Sequence, residues 1–406
     1  MVKKKKIIRK VLAITNTRSE YDLLSYLYGL LTKDENIDFR IIVSGAHHSM
    51  QYGKSIKQII DDGHKILIKP ETQLDSDSDV GRIKSASLLM INAIEPVFEF
   101  SPDLLIYGAD REEIMIAAMI SGYLKIPSMH FYAGDHDRDG LIDNPLRHAT
   151  SRMSAYQVVS MQEHYDRLIA TGLNPKRIFN IGSCALDKFR KESKLNRRKL
   201  TEKLGGKGIF ENSYALVIHH ALMGEEQKCV DELILIIDAL SELKLPAVIN
   251  SPNIDPGSKK ILEYMQSYQG NQNIFFINNL SRNLFINVYR NASIQIGNSS
   301  SGILEAPSIP LASVNVGNRM VGRRAMSNVI FSKSNKKSIK NSIEKGLSDD
   351  FYINNVKNIK NIYGDGKASD RAYKLIKNLD TSDYEKFRHE DPLDFLPSID
   401  IINKYK

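Results

Sequence analysis

Only two cysteines, Cys184 and Cys229, occur in 406 residues, and neither stands in a CxxC or Cys/His spacing. That excludes a disulfide framework and a cysteine-based zinc site, and it leaves both thiols as buried small hydrophobes. Long apolar runs are missing as well. Nothing approaches the roughly 18 to 20 residues that span a bilayer, and Lys3 to Lys6 lead into a strand-like segment without a signal-peptide cleavage site, so a cytoplasmic protein with no membrane partner is expected. Neither GxxxxGK[S/T] nor GxGxxG is present, which removes support for ATP and NAD; no cofactor and no metal are expected.

Acidic residues are the minority, 48 against 56 Lys and Arg, for a net charge of +8. The basic residues are scattered and no recognition-helix, RRM or zinc-finger pattern accompanies them, so a nucleic-acid partner is not expected. A lysine-rich surface with a cleft for an anionic small ligand accounts for the balance.

A chain of this length exceeds a single core, which stops growing at about 250 to 300 residues. Residues 6–15 read as a strand, 21–32 as a helix and 39–44 as a strand. Residues 104–107, 112–124 and 128–132 repeat the strand, helix, strand order. Such alternation implies a parallel sheet with right-handed crossovers. The polar, Lys- and Gly-rich stretch 188–212 interrupts the series. New strands follow near 214–219, 247–250, 274–277, 294–296 and 313–316. Two doubly wound α/β domains are therefore expected, 1–195 and 205–380 with a tail 381–406, facing each other across a cleft with ligands at the carboxyl ends of the strands.

The distinctive motifs fall at those ends. Thr15-Asn16-Thr17-Arg18-Ser19-Glu20-Tyr21 opens the first helix, where backbone N–H groups and Arg18 suit an anion, while Thr17 or Ser19 could simply cap the helix. His47 in Ser44-Gly45-Ala46-His47-His48 is placed to bond a sugar or phosphate. Gly108-Ala109-Asp110-Arg111-Glu112-Glu113 sets carboxylates beside an arginine, an arrangement that a helix dipole alone would also favour. His130-Phe131-Tyr132-Ala133-Gly134-Asp135 precedes Asp143-Asn144-Pro145-Leu146-Arg147-His148-Ala149, whose Asp143, Arg147 and His148 fall at i, i+4 and i+5 of a starting helix. In the second half, His219-His220 ends a strand and Ser251-Pro252-Asn253-Ile254-Asp255-Pro256-Gly257 forms a tight turn. Gly297-Asn298-Ser299-Ser300-Ser301-Gly302 leads into a helix with donors suited to a diphosphate, and Glu305 is placed for the ribose hydroxyls.

In this order the motifs resemble the hydrolysing UDP-N-acetylglucosamine 2-epimerase family of sialic and legionaminic acid biosynthesis, over about residues 9 to 380. The resemblance implies the GT-B fold of two Rossmann-like domains and an elimination chemistry. A C2 proton is removed and UDP departs to leave a 2-acetamidoglucal, which water then adds to with inversion at C2. It implies that Asp110 and Asp143 are catalytic carboxylates and that His220 lies near the diphosphate, on the leaving-group side of the catalysis; Asp135 and Glu113, carboxylates of the neighbouring runs, are further catalytic candidates. It also implies that Ser300, Ser301 and Glu305 hold the UDP moiety and that Arg18 and Arg323 lie in or beside the same cleft; His47, Arg147, His148, Asn253, Arg282, Ser299 and Gly302 are further candidates for substrate or nucleotide contact. A homodimer or homotetramer is expected.

One departure stands out. Where the family shows HxEG or HxHGGE, this chain reads HFYAGD, with Tyr132 at the strict glutamate position and Asp135 at the nearby acidic one. Two competing readings remain: a GT-B glycosyltransferase that passes the sugar to an acceptor, and a sugar-nucleotide-binding protein without activity.

Overall fold

The computed structural model describes residues 8–396 except 51–53, 75–77, 137–141, 206–207, 223, 253–256, 269–272 and 279. The chain forms two α/β units, Lys188–Ile362 on one side and, on the other, the stretch before Lys188 together with the chain from Tyr363 onward.

The first unit is built on seven parallel strands: β1 Arg9–Thr15, β2 Ile37–Val43, β3 Lys65–Ile68, β4 Leu104–Gly108, β5 Ser128–Phe131, β6 Tyr156–Val159 and β7 Ile178–Asn180. Their order is β3-β2-β1-β4-β5-β6-β7. These are near-continuous apolar runs because helices cover both faces of the sheet. Alternate residues serve opposite layers. Val11, Ala13, Ile41 and Ile106 face a layer with Leu24, Leu27 and Leu31 of the helix Arg18–Lys33. Leu12, Ile14, Ile42 and Tyr107 face Leu89, Ala93 and Val97 of the helix Asp79–Phe100 and Ile114, Ala117 and Ala118 of the helix Glu112–Tyr123.

The second unit repeats the plan with six parallel strands: β8 Ala215–Ile218, β9 Ala247–Asn250, β10 Ile274–Ile277, β11 Ile294–Gly297, β12 Ser313–Val316 and β13 Val329–Ser332, in the order β10-β9-β8-β11-β12-β13. Its core joins Val217, Ile249 and Ile296 to Leu233, Ile236 and Ile237 of the helix Glu226–Glu242.

The division differs from the expected boundary in one respect. The helix Ala368–Asn378, assigned from the sequence to the second domain, contributes Ala368, Ala372 and Ile376 to the core of the first. Asp187 anchors it, accepting the backbone N–H groups of Ala368 at 3.1 Å and Ser369 at 2.7 Å and thereby satisfying two orphan donors of its first turn. Among the described residues no helix is long and apolar enough to cross a membrane.

Candidate active site

In each sheet the strand order reverses at one point, between β1 and β4 in the first and between β8 and β11 in the second. Such switch points open a crevice at the carboxyl ends of the strands, and the sequence motifs collect there.

After β1, Thr17 caps the helix Arg18–Lys33 by accepting the N–H of Glu20 at 3.3 Å, while Glu20 returns a carboxylate oxygen to the N–H of Asn16 at 3.0 Å. This reciprocal cap buries Glu20, whose second oxygen, Oε1, has no hydrogen-bond partner among the described residues. Burial first, and the neighbouring Glu113 second, push its carboxyl up to about 8, with Arg111 opposing. Arg18, at the first helical position, lies 3.7 Å from Asp22.

After β4, Ala109 adopts a left-handed φ of 83° and turns the chain into the helix Glu112–Tyr123. Arg111 lies 3.4 Å from both Glu112 and Glu113. Burial raises Glu113, with Arg111 opposing. Burial also acts upward on Glu112, yet the hydrogen bond from Arg82 and the charges of Arg111 and Arg82 bring it below its ordinary value. Arg82 grips Glu112 bidentately at 3.0 and 2.6 Å and reaches Asp143 at 3.4 Å. Arg147, buried, donates to Asp110. The helix Asp143–Met153 starts where the spacing predicts, and it brings Asp143 and Arg147 to this carboxylate and guanidinium network.

Buried groups beyond the network are fixed by protein partners. His130 pairs its Nε2 with the Ala109 carbonyl at 2.9 Å and its Nδ1 with the Ser151 hydroxyl at 3.0 Å; burial lowers it to about 4. His47 is fully buried between Thr15 at 3.1 Å and Ser55 at 2.7 Å. Both of its ring nitrogens are thus engaged by the protein. His148 meets His136 at 3.1 Å, and burial followed by the charge of His136 lowers it to about 4.

Tyr132 stands at a left-handed φ of 62°. Its hydroxyl donates to the Leu23 carbonyl and accepts from the Ala185 N–H, both at 3.0 Å, and burial drives its pKa well up. Tyr132 is a brace between the β5 loop, the first helix and the segment after β7. Asp135 lies 3.2 Å from the Nε2 of buried His164 and accepts the N–H of His136 at 2.9 Å.

In the second unit Asn298 ties the ends of β8 and β11 together. It accepts the N–H of His220 at 2.7 Å and donates to the His220 carbonyl at 2.8 Å. Arg319 donates to the Asn298 carbonyl at 3.0 Å. Burial, then the charges of Arg319 and His219, hold His220 well below its ordinary value. Gly297 is obligatory here: its φ is 133°, and a Cβ would sit 2.1 Å from the Ile218 carbonyl oxygen.

The helix after Ser300 is shorter than its sequence suggested, a single turn over Ser301–Leu304 that passes into a 3-10 turn at Ala306–Ser308. Its hydroxyls are partly spoken for. Ser301 Oγ bonds Ser299 Oγ at 3.0 Å and receives the Gln295 amide at 2.9 Å. Gly302 is packed so tightly that a Cβ would lie 2.2 Å from Ser313 Oγ. Glu305 forms a mostly buried 2.8 Å ion pair with Lys188, a partner the sequence did not single out. Arg282 begins the helix Arg282–Asn291, and Arg323 contacts Met320 Sδ at 3.7 Å. Asn253 lies outside the described residues.

Both cysteines are buried and free. Cys229 has neighbours the sequence did not suggest: its thiol, a ring nitrogen of His219 and a carboxylate oxygen of Glu232 lie within 4.8 Å of one another, all buried. Glu232 approaches His219 at 3.4 Å and accepts from Ser334 at 2.5 Å.

Two doubly wound parallel units, one ending in a carboxylate and arginine network and the other in a serine-rich turn, define an α/β protein of the GT-B-like fold class. The model of the UDP-N-acetylglucosamine 2-epimerase family matches residues 30–377. The chain belongs to that family. It is 30% identical over 375 residues, covering 92% of this chain and 97% of the other, to a hydrolysing UDP-N,N'-diacetylbacillosamine 2-epimerase of Legionella pneumophila. It is 31% identical over 350 residues, 85% of this chain and 89% of the other, to a hydrolysing GDP/UDP-N,N'-diacetylbacillosamine 2-epimerase of Campylobacter jejuni. Among solved structures, the UDP-GlcNAc 2-epimerase of Neisseria meningitidis bound to UDP-GlcNAc superposes with a TM-score of 0.75 at 18% identity, covering 91% of this chain and 100% of that one. The activity class is hydrolysing nucleotide-sugar 2-epimerase.

Proposed function

We propose that the protein converts a UDP-linked 2,4-diacetamido-2,4,6-trideoxyhexose of the N,N'-diacetylbacillosamine kind to the free 2-epimer and UDP, a step that supplies nonulosonic acid biosynthesis of the legionaminic type. The sugar assignment rests on the two relatives at 30% identity or above, both hydrolysing bacillosamine-type epimerases. UDP-N-acetylglucosamine is the alternative substrate.

The observation that carries the chemistry is the set of carboxyl groups with divided environments at the β1/β4 switch point. Burial pushes Glu20 and Glu113 upward, toward the protonated form. Asp110 and Asp143 instead face the arginines Arg147 and Arg82. Neighbouring carboxyls whose environments differ in this way supply an acid and a base at one pH.

In this reading Asp110 or Asp143 takes the C2 proton. The C1–O bond breaks with its electron pair leaving on UDP, and a glucal forms. A protonated carboxyl then returns a proton to C2 on the opposite face while water adds its hydroxyl at C1 and passes its remaining proton to a neighbouring carboxylate. Asp135 stands in for the loop glutamate that this chain lacks. Ser300, Ser301, Glu305 and His220 are assigned to the nucleotide, with cationic and dipolar groups stabilising the departing diphosphate.

Purified protein incubated separately with UDP-N,N'-diacetylbacillosamine and UDP-GlcNAc, with NMR of the products, tests the reading. Release of the free 2-epimer from the diacetamido substrate at a kcat/KM at least ten times that for UDP-GlcNAc is expected. The reverse ratio selects the alternative, and transfer of the sugar to an added acceptor without free-sugar release refutes the reaction.

A further inference from the structure

Cys229 and Glu232 stand three residues apart in the helix Glu226–Glu242, so their side chains leave the same face. His219 follows the last residue of β8. The Cys229 thiol, a ring nitrogen of His219 and a carboxylate oxygen of Glu232 come within 4.8 Å of one another, and all three residues are buried. Spacing along the chain argues against a cysteine-based zinc site, but it cannot register a set with one member at a strand end and two in a helix.

Hydrogen bonding does not account for His219. Its side chain is 1% exposed, and among the described residues neither ring nitrogen has a hydrogen-bond partner. A neutral imidazole carries one N–H donor and one acceptor nitrogen, and both go unanswered in the core. An imidazolium paired with Glu232 satisfies the charge yet still leaves the Nδ1–H without an acceptor. Nε2 lies 3.4 Å from Oε2 of Glu232. A nitrogen and an oxygen each about 2.0 to 2.1 Å from one zinc ion are separated by roughly that distance, along one edge of the coordination tetrahedron. The carboxylate is held from behind. Its Oε1 accepts from Ser334 at 2.5 Å, and Gly317 packs so closely that a Cβ there would lie 2.6 Å from the same oxygen. Outer contacts of this kind orient metal ligands.

We infer that His219, Cys229 and Glu232 bind a zinc ion, with a water molecule in the fourth position. Thiolate and imidazole beside a carboxylate suit zinc rather than the harder magnesium or calcium. The thiol proton passes to solvent on binding. Thiolate and carboxylate then offset the two positive charges of the ion, so the buried site is neutral as a whole. The ion clamps the end of β8 to the helix Glu226–Glu242 and ties down the connection that begins with His220. The inference stands apart from the reading of the activity, in which none of the three ligands takes part.

The test is metal content and coordination in the untagged full chain, produced with zinc in the medium and dialysed against metal-free buffer. Elemental mass spectrometry should find about one zinc ion per chain. Cobalt in place of zinc should show the thiolate-to-metal charge-transfer band in the near ultraviolet and the visible bands of tetrahedral coordination. Cys229→Ser should abolish the charge-transfer band. That variant and His219→Gln should each weaken zinc binding by about a hundredfold or more, and Ser334→Ala should weaken it about tenfold. Cys184→Ser should leave metal content and spectrum as they are in the parent. Circular dichroism verifies folding, and Cys229→Ala replaces Cys229→Ser if that variant does not fold. A parent with neither zinc nor the cobalt charge-transfer band, or zinc held at parental affinity by both Cys229→Ser and His219→Gln, overturns the inference.

Discussion

Arg147 donates its guanidinium to Asp110 from a side chain only 4% exposed, while Asp110 itself is 28% exposed. A buried cation thus fixes a carboxylate that keeps one side open to solvent. Asp110→Asn leaves the contact possible but removes the charge. Turnover should fall about 10²- to 10⁴-fold, the range for loss of a general base, with KM and the melting curve little changed. Steady-state kinetics beside calorimetry check this, and near-normal kcat takes Asp110 out of the mechanism.

Tyr132 and Asp135 divide the place of the missing glutamate. The tyrosine hydroxyl is occupied by Leu23 and Ala185, so Tyr132→Phe should cost about 1 kcal/mol of stability while kcat stays within a few-fold. Asp135→Asn should lower kcat by at least two orders of magnitude. If Tyr132→Phe abolishes C2 proton exchange and Asp135→Asn does not, the tyrosine is the acting group.

Glu20 carries a pH prediction. Its folded pKa is raised above the unfolded value, so its contribution to stability is complete below the unfolded pKa, near 4.5, and declines as the pH rises to about 8. Glu20→Gln should flatten that decline and raise the melting temperature relative to the parent at pH 8 more than at pH 5. Parallel melting profiles across this range would show that Glu20 does not titrate there.

The Lys188–Glu305 pair yields a binding prediction. Glu305→Gln should weaken UDP binding by about tenfold, or roughly 1.4 kcal/mol, by isothermal calorimetry. Unchanged affinity removes Glu305 from the nucleotide site.

The parts legible in the sequence are those written locally. The Thr17 cap, the strand-end placement of Asp110 and the start of the helix Asp143–Met153 each follow from a few neighbouring residues. What was missed depends on contacts distant along the chain. Arg82 meets Glu112 thirty residues away, from a helix the sequence reading left unassigned. Lys188 meets Glu305 across 117 positions. The periodicity of the helix Ala368–Asn378 reveals its apolar face but not the unit whose core receives it. The partners of His47, Thr15 and Ser55, lie 32 and 8 positions away, and a histidine after a strand does not announce them.

The most direct measurement is turnover of UDP-N,N'-diacetylbacillosamine in D₂O, with the released sugar analysed by NMR. The account predicts UDP and a free sugar of inverted C2 configuration carrying one deuterium at C2, because the carboxyl that protonates the opposite face of the glucal is separate from the base and has exchanged its proton with D₂O. A free sugar that keeps protium at C2, in either configuration, would contradict it.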